Sequence, residues 1–313
     1  MTVVAVTGAS GFVGSALCHE LRRRHLPTIP LLRAPHPLLP EARVVGDIGP
    51  DTRWAGQLTG VDVVIHCAAR AHVPLQSDGQ DLEVCRRINV EGTRQLAQAA
   101  AAAGVRRLVY VSSVKALGER SLPGAPLQHD SAPHPEDAYG ISKHEAEQAL
   151  ASVASSTGLQ AVIVRPPLVY GRGVKANFLK LLQAVARGLP LPLGSVDNRR
   201  SLVALDNLTD LLVSCVDHPD AAGQSFLVSD GEDLSTPALI RQMAQALHRP
   251  AHLLPCPPSL LALAGRLTGR EATVERLIGH LQVDIGHTTK VLGWTPKVSV
   301  QQGLQSAVQD LPR

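Results

Sequence analysis

A large excess of charge of either sign is missing from this chain of 313 residues: 30 lysines and arginines face 27 aspartates and glutamates, a formal net charge of +3. The arginines are dispersed apart from Arg22-Arg23-Arg24 and Arg199-Arg200. Without a basic stripe, no nucleic-acid partner is expected. The first cluster closes an expected helix, where cations suit the dipole, so it reads as a solvated terminus. Long apolar runs are missing too. None reaches the ~18 residues that a membrane span needs, so no membrane partner is expected. No leader-like segment precedes the first apolar run, and the expected location is cytoplasmic. Cys18, Cys67, Cys85, Cys215 and Cys256 are odd in number, lack metal or redox spacing and lie mostly in apolar runs. They read as reduced thiols, and no metal site is expected. Neither an internal repeat nor a low-complexity tract interrupts the sequence.

What is present is alternation. Apolar runs near 3–7, 28–32, 43–47, 61–66, 106–112 and 160–165 predict strands, and helical patterns near 11–24, 79–103, 137–157 and 205–217 fall between or after them. That rhythm predicts an α/β fold with a Rossmann-type, doubly wound parallel sheet. The length exceeds that of the usual single domain. A nucleotide-binding domain is expected over 1–170, after which prolines at 190, 192, 237, 250, 255, 257 and 258 punctuate short helices. They mark a smaller C-terminal substrate lobe over 171–200 and 231–313. Gln224 to Ser229 reads as a strand, so the segment 201–230 is expected to complete the sheet and leave the lobe discontinuous.

Two short motifs carry chemistry. Thr7-Gly8-Ala9-Ser10-Gly11-Phe12-Val13-Gly14 follows the first apolar run and opens the first helical pattern. Gly8 permits a tight turn, Gly11 lets the backbone approach a pyrophosphate, and Gly14 lets helix and strand pack closely, with phosphates at the helix N-terminus. In Tyr139-Gly140-Ile141-Ser142-Lys143 a phenol and an ammonium four residues apart share one helix face. A free tyrosine titrates near ~10. Acid/base work at neutral pH requires a lower value, and only in a partly closed cleft is a nearby cation strong enough to supply it.

These motifs resemble the extended short-chain dehydrogenases/reductases, and within them the nucleotide-sugar epimerases, dehydratases and 4-ketoreductases. The resemblance covers nearly the whole chain. The glycine run matches the family's TGxxGxxG and Tyr139 with Lys143 its YxxxK. Ser113 is the better match than Ser112 for the catalytic serine, and Arg165 to Gly171 is similar to RxxxVYG. The resemblance implies a cofactor site of Gly8, Ser10, Gly11, Phe12, Val13, Gly14, Arg33, Asp47, Ile48, Cys67, Ala68, Ala69, Tyr139, Lys143 and Pro166. Arg33 stands where NAD-preferring members carry an acid and suits a 2′-phosphate, so NADP(H) is favoured and NAD(H) is the alternative. His66 reads as a packed strand-end histidine and Asn89 as a helix-bending residue. Ser113, Lys115, Asn177 and Arg200 are the implied substrate contacts, the last two toward a UDP diphosphate; Arg276 does not match in register.

The implied chemistry acts at sugar C4. Tyr139 exchanges a proton, Ser113 hydrogen-bonds the same oxygen, and Lys143 lowers the phenol pKa and holds the nicotinamide ribose. Dehydratases carry Asp-Glu after the catalytic residue. Here Val114-Lys115 follows Ser113, which disfavours dehydration. Reduction of a UDP-4-keto-6-deoxy-N-acetylhexosamine is the leading expectation and UDP-glucose or UDP-N-acetylglucosamine 4-epimerisation the alternative. A non-catalytic nucleotide sensor is the minor one, since both Tyr139 and Lys143 are retained. A homodimer is expected through the helices near 79–103 and 137–157.

Overall fold

The computed structural model describes residues 1–71 and 80–310. The N-terminal part alternates as its apolar runs dictate: β1 (Val4–Thr7), α1 (Phe12–Arg23), β2 (Thr28–Leu32), β3 (Arg43–Val44), β4 (Val63–His66), α2 (Gln80–Cys85) and α3 (Gly92–Ala102). There follow β5 (Arg107–Val111), α4 (Ala138–Thr157) and β6 (Gln160–Arg165). The remainder comprises β7 (Leu168–Tyr170), α5 (Ala176–Ala186), β8 (Arg200–Ala204), α6 (Leu205–Asp217), β9 (Ser225–Leu227) and β10 (Asp233–Leu234). It closes with α7 (Thr236–Ala246), α8 (Pro258–Leu267), α9 (Glu271–Ile278), α10 (Gly286–Leu292) and α11 (Val300–Val308).

Seven parallel strands form the main sheet in the order β3-β2-β1-β4-β5-β6-β9. Strands buried on both faces need continuous apolar runs, and β1, β4 and β5 are buried at every position. Leu17 and Leu21 of α1 pack with Leu208, Leu211 and Leu212 of α6 on one face. Leu96 and Ala100 of α3 pack with Ala146, Leu150 and Val153 of α4 on the other. The order reverses between β1 and β4, which opens a crevice at their carboxyl ends, where doubly wound sheets bind ligands.

Three differences from the sequence reading have physical causes. The helix expected over 79–103, whose first position lies outside the described residues, is interrupted by a π-helical segment at Arg86–Glu91. Asn89, inside that segment, turns its side chain to the Arg70 backbone and Ser142. The strand expected over 43–47 pairs only at Arg43–Val44. Within 201–230 only β9 joins the main sheet; β8 pairs with β7 and β10 in a separate three-stranded sheet beneath the lobe. The lobe core gathers Phe178, Leu182, Ile240, Met243 and Leu304 around Tyr170. The Tyr170 hydroxyl donates to Asp230 (2.7 Å), which also accepts from the Ala204 amide and Asn207.

A buried ion pair fixes α4 on the sheet. Glu147 accepts from Arg165 at 3.0 and 2.8 Å and from the Ser112 hydroxyl at 2.5 Å, with side chains 10% and 5% exposed for Arg165 and Glu147. Removing one partner strands a charge in the core, whereas removing both does not. Arg165→Met should therefore lower the unfolding free energy by about 3–5 kcal/mol in urea titration. Arg165→Met/Glu147→Leu should recover most of that loss; equal losses for both proteins would mean that the charges are not coupled.

Candidate active site

The crevice between β1 and β4 has the shape of a phosphate cradle. Gly8 has φ +64°, and a Cβ there would lie 2.9 Å from the Ala68 amide nitrogen; a Cβ on Gly14 would lie 2.2 Å from the Gly8 carbonyl oxygen. Only glycine lets the turn, the helix and the Cys67-Ala68-Ala69 loop approach so closely. α1 begins after Gly11 with no side-chain cap among the described residues, so its first N–H groups point free into the crevice beside exposed Ser10. This backbone fits a dinucleotide pyrophosphate.

Beneath the crevice runs a polar ladder. His66 is buried and bonds Thr7 Oγ1 at 2.6 Å and Thr93 Oγ1 at 3.2 Å, while Thr7 also accepts from the Ala68 amide. Burial and the Lys143 charge hold the imidazole far below its ordinary pKa, at about 3. It packs and orients, as read from its place at the strand end.

Ser113, Tyr139 and Lys143 meet at the end of β5. Asp137 caps α4 by accepting from the Gly140 amide at 2.7 Å, and a Cβ on Gly140 would lie 2.6 Å from the Lys115 carbonyl oxygen. That close approach sets the first turn of α4 against the Ser113 turn. Ser112 points to Glu147, whereas the Ser113 hydroxyl accepts from the Lys115 amide at 3.2 Å and acts to lower the pKa of the Tyr139 phenol. Lys143 is 1% exposed and donates to the Tyr110 hydroxyl at 3.0 Å and the Val111 carbonyl at 2.7 Å. Burial lowers its pKa from 10.5 to about 7, against the opposing pull of Glu147. The expectation that Lys143 depresses the Tyr139 pKa needs correction. Its ammonium lies 5.9 Å from the Tyr139 ring centroid, and burial with the Asp137 carboxylate pushes the phenol above its ordinary value while Ser113 pulls it back. In this geometry burial sets the direction.

At the positions expected to meet the adenosine, Arg33 and Asp47 are both exposed and stand 3.7 Å apart, with half-buried Ile48 beside them. Pro166 is buried at the end of β6, and its carbonyl accepts from the Val114 amide. Among the residues expected to meet the substrate, Lys115 donates to Glu119 at 2.9 Å and Asp137 at 2.5 Å, and Arg276 stands 4.0 Å from each carboxylate. Arg200 donates to the Gly279 carbonyl at 3.0 Å, and burial lowers its pKa to about 10. Asn177 sits exposed on the first turn of α5 and makes no hydrogen bond among the described residues. Glu119 and Asp137 were not foreseen beside these residues, and Arg276 had been set aside for want of a match in register. Asp137 alone left a signal, a helix-capping residue two positions before Tyr139.

The sequence profile of the NAD dependent epimerase/dehydratase family matches residues 4–229. The chain belongs to this family. Among similar epimerase/dehydratase relatives, a UDP-glucose 4-epimerase of Vibrio cholerae is 43% identical over 310 residues, covering 98% of this chain and 94% of its own. A GDP-6-deoxy-D-mannose reductase of Pseudomonas aeruginosa is 27% identical over 97% of this chain and 95% of its own. Among solved structures, a UDP-glucuronic acid 4-epimerase from Bacillus cereus in complex with NAD superposes with a TM-score of 0.78 at 21% identity, covering 98% of this chain and 95% of that one. This likeness establishes the shared fold.

The buried Lys143 makes stability depend on pH in a definite direction. Its folded pKa of about 7 lies below the unfolded value near 10.5, so between them unfolding takes up a proton and stability rises with pH. Below about pH 7 the protein carries the full cost of a buried ammonium. Lys143→Met removes that cost. Its stability advantage over the parent chain should shrink by up to about 1.4 kcal/mol per pH unit between pH 7 and 10. Urea titrations at several pH values measure it, and a pH-independent difference would contradict it.

Proposed function

We propose that this chain interconverts the C4 epimers of a UDP-linked hexose with an NAD that it retains through turnover. The observation that carries this reading is the 43% identity to a UDP-glucose 4-epimerase across 98% of the chain, with Ser113, Tyr139 and Lys143 all present. The reductase expectation accordingly takes second place.

In this reading the N–H groups at the start of α1 hold the pyrophosphate, and Arg33 and Asp47 flank the adenosine. Pro166 and the Cys67-Ala68-Ala69 loop would border the nicotinamide side, and the third N–H of Lys143, beyond those given to Tyr110 and Val111, would be the one left for the ribose. NAD supplies a reversible hydride acceptor for sugar C4. Tyr139 would take the proton of the C4 hydroxyl as its phenolate, a form that burial and Asp137 disfavour in this structure, and return it after the ketone has turned, while Ser113 holds the same oxygen. Arg200, with Arg276 beside it, neutralises the diphosphate; Asn177 and Lys115 border the sugar nucleotide. The π segment and the face of α4 carrying Glu145 form the homodimer contact.

A second reading, reduction of a 4-keto sugar with NADPH, is favoured by Arg33. Its guanidinium is 79% exposed and its acidic neighbour stands 3.7 Å off, so a 2′-phosphate could take it.

Cofactor retention separates the two. Protein purified without added cofactor should release about one NAD per chain on heating and should epimerise a UDP-hexose with none added. Tyr139→Phe should keep the NAD and lose ~10²–10⁴-fold in turnover. A protein that arrives empty and oxidises NADPH only with a UDP-4-keto sugar would be the reductase.

The diphosphate reading has its own test. A charge-assisted contact contributes roughly 1.5–3 kcal/mol, so Arg200→Ala should weaken UDP about 10- to 150-fold in calorimetry. An unchanged affinity would place the diphosphate elsewhere.

A further inference from the structure

The lobe carries a feature that the chemistry of the cleft does not use. From Leu234 to Arg270 the sequence contains no aspartate or glutamate, but it contains Arg241, Arg249, Arg266 and Arg270. At the end of that acid-free stretch lies α8. Gly265 lets α8 pack closely on Val274 of α9, and Leu261 is half-buried with Leu277 and Ile278 against the lobe core. Its opposite side is apolar and bare: Leu260, Leu263 and Leu267 are 56%, 53% and 79% exposed. At spacings of three and four residues they form a single stripe. Leu254, also exposed, precedes it. Among the described residues, the other exposed leucines, Leu38, Leu122, Leu168 and Leu189, stand singly along the chain.

A clustered leucine stripe is a costly surface to leave in water, and such patches mark contact faces. The charges around it select the partner. Arg266 flanks the stripe and Arg270 follows it. The nearest carboxylate, Glu271, meets Arg266 in an exposed pair at 3.1 Å. A second copy of this face would bring like charges together, whereas an anionic lipid surface offers hydrocarbon for the leucines and headgroups for the arginines. The helix has ten residues, too short to cross a bilayer, and no helix among the described residues is long and apolar enough to do so. We propose that α8 lies in the headgroup region of an anionic membrane and seats the substrate lobe there. Its hairpin partner α9 ends beside Gly279, which accepts from Arg200, and carries Arg276 toward Glu119 and Asp137. The hairpin thus joins the lipid-facing side to the wall of the cleft. This seating does not depend on which reaction the cleft performs.

Flotation of the full chain with vesicles tests it. The chain should rise with phosphatidylglycerol-containing vesicles, much less with phosphatidylcholine alone, and should be released by salt. Leu260→Ser/Leu263→Ser/Leu267→Ser should lower the association by at least about tenfold. Arg266→Gln/Arg270→Gln should lower it about 30-fold, as for two cations lost from a charged surface. Both variants should keep the parent's circular dichroism and urea midpoint, since these side chains point outward. The proposal is overturned if the chain fails to float with anionic vesicles, or if a folded triple-serine variant floats as well as its parent. It is also overturned if sedimentation shows that the serine substitutions instead dissociate an oligomer, which would make the stripe a contact between copies.

Discussion

The buried ammonium of Lys143 is the constraint from which the site is built. A charge 1% exposed must be solvated by the protein, and the Tyr110 hydroxyl and Val111 carbonyl do so from the end of β5. Those two acceptors define where α4 lies on the sheet. One turn further along α4, Glu147 opposes the effect of burial on Lys143 but is itself paired with Arg165 from β6. One turn earlier, the same register delivers Tyr139 to Ser113. A slip of α4 by one residue would uncouple all three.

The crevice is tied to this register by neutral hydrogen bonds. Ser142 accepts from Asn89, Asn89 holds the Arg70 backbone, its own carbonyl accepts from Thr93, and Thr93 reaches His66 and through it Thr7. The chain of contacts links α4 to β4 and β1, where Gly8 meets Ala68. A π-helical segment is an expensive way to present one asparagine, and such segments occur mostly where function fixes a side chain. Here it joins the reactive end of the crevice to the turn that fits a pyrophosphate.

The parts of this arrangement visible in the sequence are those that local physics specifies. β1, β4, β5 and β6 announce themselves because strands covered on both faces must be apolar at nearly every position. The glycine turn is legible because no other residue fits its contacts. The bend at Asn89 was legible through the family resemblance, but its π-helical form was not, since Asn89 finds its partners at Arg70 and Ser142, far along the chain. β7 and β10, of three and two residues, are too short for periodicity to register. The Tyr139 pKa was read in the wrong direction because spacing on a helix says that a cation is near but not where its lone contacts are spent.

The same limit applies to cofactor choice. Arg33 differs from the acid of NAD-preferring members, yet the structure sets Asp47 3.7 Å from it, on the neighbouring loop. An exposed pair of this kind is worth little, about 0–1 kcal/mol. The guanidinium can therefore turn to a 2′-phosphate at small cost, while the carboxylate remains beside it to meet ribose hydroxyls. One residue cannot decide between the cofactors when the pair accommodates both. The decision falls to how long the cofactor stays: an epimerase returns it to its starting redox state within each turnover, whereas a reductase must release it every time.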